Sequence, residues 1–158
     1  MERKINQIGI LVKDISKAID FYQHTLGISF QVMDRPRETC QLHGKESSFR
    51  LKTALGNSAG MQIELIQVLE GRTAHVEFME AHGEGIHHFG LYVEDLEAEI
   101  AACAKDGIGV ISSGEFLGVK WAYMDSTGTA GAIMEFIELP KPRARKPKKE
   151  AASAPNVG

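Results

Sequence analysis

The sequence predicts an α+β fold in which two βαβββ modules pair into one open mixed β-barrel with helices outside. Three observations predict it. The chain repeats itself: Asn6-Gln7-Ile8-Gly9-Ile10-Leu11-Val12 lies over His87-His88-Phe89-Gly90-Leu91-Tyr92-Val93 position by position, so Gln7 falls on His88 and Gly9 on Gly90. Each of these stretches then opens a similar helix, with Asp14-Ile15-Ser16-Lys17-Ala18-Ile19 matching Asp95-Leu96-Glu97-Ala98-Glu99-Ile100. Finally, 158 residues make one domain of ordinary size but not two large independent cores. Neither half has enough strands to bury both faces of a sheet, so the halves share a core.

In chain order, Ile5 to Val12 alternates as a strand, with Ile8, Ile10 and Val12 on one face and Gln7, Gly9 and Leu11 on the other. A helix follows. Asp14 or Ser16 caps it, Ile15, Ala18, Ile19, Tyr22 and Leu26 form its apolar stripe, and Gly27 ends it. A strand near Ile28 to Met33 leads into a polar segment, Asp34 to Glu46, expected to be mobile and holding Arg35-Pro36-Arg37. Ser48 to Leu55 and Met61 to Val68 read as a hairpin through Gly56 to Gly60. A short helix, about Thr73 to His82, links the first module (about 4–70) to the second (about 86–139). The second module reads as strand Ile86 to Val93, helix Leu96 to Lys105 stopped by Gly107, and strands Ile108 to Ser112, Val119 to Met124 and Ala132 to Glu138. Residues 1–139 form a single domain in this reading, and 140–158 form a basic, disordered tail.

Composition narrows the function. The net charge of −3 splits into +5 for the tail and −8 for the rest, which argues against nucleic-acid binding by the folded part. No apolar run approaches the roughly 18 residues of a membrane span, and MERKINQ lacks the apolar region of a secretory signal. A cytoplasmic protein with no membrane partner is expected. Cys40 and Cys103 lack metal-type spacing and are expected to be free thiols.

The chemistry lies in the repeat. Met61-Gln62-Ile63-Glu64-Leu65-Ile66 lies over Ala132-Ile133-Met134-Glu135-Phe136-Ile137, which places one glutamate within the last strand of each half. A carboxylate inside an apolar strand is costly to bury unless paired, protonated or bound to a cation. By pseudo-symmetry Gln7, Glu64, His88 and Glu135 converge on the concave face as a mixed oxygen and nitrogen site for one divalent metal ion: zinc, cobalt, nickel or manganese. Strand alternation turns the neighbouring His87 to the opposite face.

With these residues in hand, the chain resembles the vicinal oxygen chelate superfamily of glyoxalase I, methylmalonyl-CoA epimerase, extradiol dioxygenases and bleomycin-resistance proteins. Within it the chain looks most like the epimerases, through IGILVKDISKAIDFYQHTLG, MQIELIQVLEG, FMEAHGEGIHHFGLYVEDL and GAIMEFIEL, with GEGIHH the most specific part. The resemblance implies metal ligands at Gln7, Glu64, His88 and Glu135, a catalytic base at Glu135, and a second catalytic acid near Lys45-Glu46, taken as Glu46. It departs from the epimerases at Gln7, where they usually carry His, and at Asp125-Ser126-Thr127-Gly128, which lacks their His-Pro-Lys. The set Gln, Glu, His, Glu is similar to that of eukaryotic glyoxalase I.

The implied activity is a metal-dependent epimerase that removes the C2 proton of a 2-substituted malonyl-type acyl-CoA through a stabilised enolate. The implied substrate is a small-molecule thioester, and the implied assembly is a homodimer. The alternatives are a lactoylglutathione lyase and a non-catalytic small-ligand-binding protein of the same fold. Iron dioxygenase chemistry is disfavoured, because it wants two histidines and one carboxylate where this set offers one histidine.

Overall fold

The computed structural model describes residues 2–141. The basic tail expected over 140–158 therefore lies, apart from Pro140 and Lys141, outside the described residues. The elements run β1 (Gln7–Leu11), α1 (Ile15–Leu26), β2 (Phe30–Asp34), β3 (Glu38–Leu42), β4 (Lys45–Ser58), β5 (Met61–Gly71), α2 (Ala74–His82), β6 (Gly85–Val93), α3 (Leu96–Lys105), β7 (Val110–Phe116), β8 (Val119–Met124), α4 (Thr127–Ala130) and β9 (Ile133–Glu138). Among these described residues no helix is long and apolar enough to cross a membrane.

One mixed sheet runs in the order β2-β4-β3-β7-β8-β9-β6-β1-β5, and β5 returns to β4. Eight strands thereby form a barrel, and β2 is an extra strand on β4. The α+β class, the pairing of the two halves and the outer helices are as the repeat predicts. The halves meet at β1–β6, which is antiparallel, and at β3–β7, which pairs only Gln41 with Ser113 and Leu42 with Ser112. Within each half the first strand runs parallel to the last, β1 beside β5 and β6 beside β9.

Apolar periodicity decides what the helices cover. Ile15, Ala18, Ile19 and Tyr22 of α1 pack on Ile63, Leu65 and Ala54. Leu96, Ile100 and Cys103 of α3 pack on Leu91, Ala122 and Phe136. A third cluster, with Phe49, Leu51, Ile66 and Tyr123, fills the end of the barrel interior nearest α2. Helix ends follow their local signals: Asp14 accepts from the N–H groups of Ser16 and Lys17, and Gly27 takes the left-handed conformation at φ 67°.

The structure corrects three expectations. The segment Asp34 to Glu46 is not a mobile loop: it carries β3, whose buried Glu38, Cys40 and Leu42 alternate with exposed Thr39 and Gln41. β2 and β3 lie along the same edge of β4, and between the pairs Asp34–Lys52 and Glu38–Phe49 the outer strand uses one residue more than β4. The hairpin is also tighter and longer than read. β4 and β5 pair from Ser58–Met61 down to Phe49–Gly71, and Ala59 and Gly60 turn the chain at φ 50° and 86°. Finally, His87 does not face away from His88. On β6 His88 pairs with Gly9 and Ile86 with Ile10, so His87 is the extra residue of a β-bulge, and both imidazoles are buried in the interior.

Candidate functional site

The repeat explains why the centre of the barrel is polar. Strand alternation sends Gln7 and Gly9 of β1 inward, and the antiparallel register sets Gly9 opposite His88 and Gln7 opposite Gly90. Each glycine makes room for the other half's side chain. A Cβ on Gly9 would lie 2.0 Å from His88 Cε1, and one on Gly90 would lie 2.9 Å from Gln7 Oε1. Only glycine at these two positions lets both side chains lie flat across the strand pair. The parallel neighbours then bring in the carboxylates: Glu64 pairs with Gly9, and Glu135 with Gly90.

All four residues named from the repeat meet at one atom. Glu135 Oε2 lies 3.0 Å, and Glu64 Oε2 3.8 Å, from His88 Nε2. Gln7 Oε1 lies 3.2 Å from the same nitrogen, oriented by its own amide, which donates to Gln62 Oε1 at 2.7 Å. Three acceptor oxygens thus crowd a single nitrogen that can donate one hydrogen at most, and the buried Glu135 Oε2, although 3.0 Å from it, makes no aligned hydrogen bond. A surplus of inward acceptors with too few donors is the condition a cation relieves, and amide, imidazole and two carboxylates suit a divalent ion. The residues present fit such an ion. With His88 Nε2 given to it, Nδ1 would carry the hydrogen and donate to His87 Nδ1, 3.0 Å away.

Electrostatics follow from burial and crowding. Burial, with the neighbouring Glu135 charge, pushes the Glu64 carboxyl up to about 7. Burial works against the His88 imidazolium, yet Glu135 and Glu64 outweigh it and hold His88 above its ordinary value. Burial lowers His75 to about 3 and lowers His87 as well, so both are neutral bases. Tyr123, buried near both carboxylates, is raised well above its ordinary value.

Glu46 is not brought to this site. It is exposed near the start of β4, where it pairs with Gln41. Two residues that sequence reasoning passed over are brought in. His75, at the start of α2, donates or accepts at Tyr123 Oη 3.2 Å away, and its ring lies 4.5 Å from that of His87. Nothing in the repeat pointed to it, because the linker helix has no counterpart. With His87 and His88 it forms a second cluster that could hold a metal, its ligand atoms within 4.8 Å of one another. Both His75 nitrogens are already engaged, by Thr73 Oγ1 and Tyr123 Oη, which favours the glutamate-rich set.

The second arrival is Arg35, in the segment corrected above. It lines the cavity that opens over Gln7, Glu64 and Glu135, about 310 Å³ in volume, with Trp121, Phe116 and Thr53 among its walls. Met33, Tyr92, Leu117 and Leu139 give the same cavity partly exposed apolar lining.

A mixed barrel of two repeated modules with a polar centre at the β1–β6 joint is the architecture of one large group of proteins, and comparison with known proteins agrees. The chain belongs to the Glyoxalase/Bleomycin resistance protein/Dioxygenase superfamily, whose family model matches residues 6–123. Members of that superfamily bind a divalent metal. Among curated proteins it is similar to the uncharacterized protein YqjC of Bacillus subtilis, 24% identical over 138 residues that cover 85% of this chain and 91% of that one. A solved structure of hypothetical protein BH1468 from Bacillus halodurans matches with a TM-score of 0.70 and 25% identity, covering 92% of this chain and all of that one. The methylmalonyl-CoA epimerase of Mycobacterium tuberculosis shares the fold, with a TM-score of 0.61, 22% identity and 87% coverage of each chain.

Proposed function

We propose that the chain is a divalent-metal-dependent isomerase that moves a proton on the carbon beside a thioester carbonyl, and in its specific form an epimerase of a 2-substituted malonyl-type acyl-CoA. The observation that carries this reading is the convergence of Gln7, Glu64, His88 and Glu135 on one point beside a cavity, with Glu135 Oε2 buried 3.0 Å from His88 Nε2 and without an aligned hydrogen bond. The fold shared with methylmalonyl-CoA epimerases supports the substrate class.

In this reading Gln7, Glu64, His88 and Glu135 hold the ion. A divalent cation there would supply Lewis-acid polarisation of a carbonyl oxygen, which makes the adjacent C–H acidic. Glu135 takes that proton, because its side chain lines the cavity beside the point where the ion would sit. Epimerisation needs a proton returned to the opposite face. With Glu46 away from the site, Glu64 takes that part, since β9-β6-β1-β5 sets the two glutamates on either flank of the Gln7–His88 pair. The apolar walls exclude water while the enolate exists. The substrate is a small-molecule thioester, the protein is a homodimer, and its location is cytoplasmic; the two unpaired cysteines suit a reducing compartment.

Incubation of cation-loaded protein with methylmalonyl-CoA in D₂O tests this. Deuterium at C2, incorporated about 10²–10⁴-fold more slowly with Glu135→Gln, is expected; no incorporation by the loaded wild type would reject the epimerase. A second reading draws on the ligand set itself: two equivalent glutamates without a separate acid also suit proton transfer between adjacent carbons, as in a lactoylglutathione lyase. Formation of thioester absorbance from methylglyoxal and glutathione would select it.

A further inference from the structure

We propose that Arg35 is a carboxylate anchor, and that the cavity is built for an acyl ligand carrying a free carboxylate in addition to the group that meets the Gln7–Glu64–His88–Glu135 centre. This rests on reading the cavity as an acyl-substrate site. Three observations about the arginine lead to it.

The first is its pairing. Arg35 Nε and Nη2 donate to the two oxygens of Glu38 at 2.7 and 2.5 Å, a side-on fork. Glu38 thereby uses one edge of the guanidinium, and Nη1 has no protein acceptor among the described residues, nor is it a sealed-off buried atom. Its two N–H bonds remain for a ligand. The second is rigidity. The guanidinium lies over the Phe116 ring, 4.1 Å from its centroid, and its side chain is 15% exposed. An arginine clamped in this way loses little further freedom when it takes a second carboxylate, and its flat fork matches that group.

The third is charge. Among the described residues lining the cavity, Arg35 is the one lysine or arginine, and it shares those walls with Glu64 and Glu135. The divalent ion proposed between those two carboxylates offsets their charge and Glu38 takes up one edge of Arg35, so what Arg35 adds for an anionic ligand is the cationic N–H donor it leaves free on those walls. Its place in the chain has a structural cause: the additional residue taken up between β2 and β3 falls at Arg35-Pro36-Arg37, and Arg35 N–H bonds to the Leu51 carbonyl at 3.0 Å, which holds the side chain over the interior.

Trp121 reports on the cavity, because it lines it and is the protein's single tryptophan. Methylmalonyl-CoA and propionyl-CoA, which differ by one carboxylate, are the probes, titrated against the cation-loaded protein by Trp121 fluorescence. Wild type is expected to bind methylmalonyl-CoA at least about tenfold more tightly. Arg35→Met should remove the preference. Because that change leaves Glu38 buried without its partner, Arg35→Met with Glu38→Gln is the second variant, and it should also bind both esters alike. Equal binding by the wild type, a preference kept by the double variant, or no binding of either ester overturns the proposal. Deuterium exchange on the same samples separates this inference from the proton-transfer reading. Discrimination without exchange keeps Arg35 as the anchor and rejects the epimerase, whereas exchange without discrimination does the reverse.

Discussion

At the scale of single residues, space at Gly9 and charge at Glu135 do most to define the site. Gly9→Ala puts a methyl 2.0 Å from the His88 ring, so the imidazole must leave the strand. That variant should lose cation uptake and about 1–3 kcal/mol of stability, measured by calorimetry and by chemical denaturation. Glu135→Gln should retain stability and lower C2 exchange by about 10²–10⁴-fold, read by mass spectrometry. The titrating groups also set a pH profile for cation-free protein. His75, at about 3, and His87, lowered, bind fewer protons folded than unfolded, so stability falls as pH drops below about 6.5. Glu64, at about 7, and His88, raised, bind more protons folded than unfolded, so stability also falls as pH rises through their folded values. Thermal unfolding of chelator-treated protein should peak near pH 6.5, and Glu64→Gln should flatten the alkaline side.

At the scale of elements, the joints between the halves are unequal. β1–β6 carries the site, whereas β3–β7 is held by two residue pairs, against an unbroken run from Ser58–Met61 to Leu51–Val68 in the β4–β5 ladder. Amides of Gln41, Leu42, Ser112 and Ser113 should exchange with solvent faster than those of Ala54 and Leu65, measured by native-state hydrogen exchange. The β3 side of that joint also marks where the sequence was hardest to read. Glu38-Thr39-Cys40-Gln41-Leu42 alternates, but its inward Glu38 looks like a loop residue until Arg35 is seen to neutralise it. Arg35 was passed over with it, since a buried ion pair between close neighbours leaves a polar segment on paper. β1, β6, β5 and β9 were legible because each apolar run has a counterpart in the other half, and their polar interruptions fall in register. The direction of His87 was not, since strand alternation holds only without a bulge and nothing in Ile86-His87-His88 announces one.

At the scale of the whole molecule, duplication makes the site. One module offers Gln7 and Glu64, the other His88 and Glu135, and neither pair makes a four-ligand centre until β1 lies against β6. The central claim is that a divalent ion sits at this joint. Elemental analysis of ion uptake by wild type, Glu64→Ala/Glu135→Ala and His75→Ala tests it most directly. The expected result is about one ion per chain in wild type and His75→Ala, and none in the double-glutamate variant. Wild type that takes up no zinc, cobalt, nickel or manganese would contradict the account, as would an ion retained without the two glutamates but lost with His75, which would place it among the histidines instead.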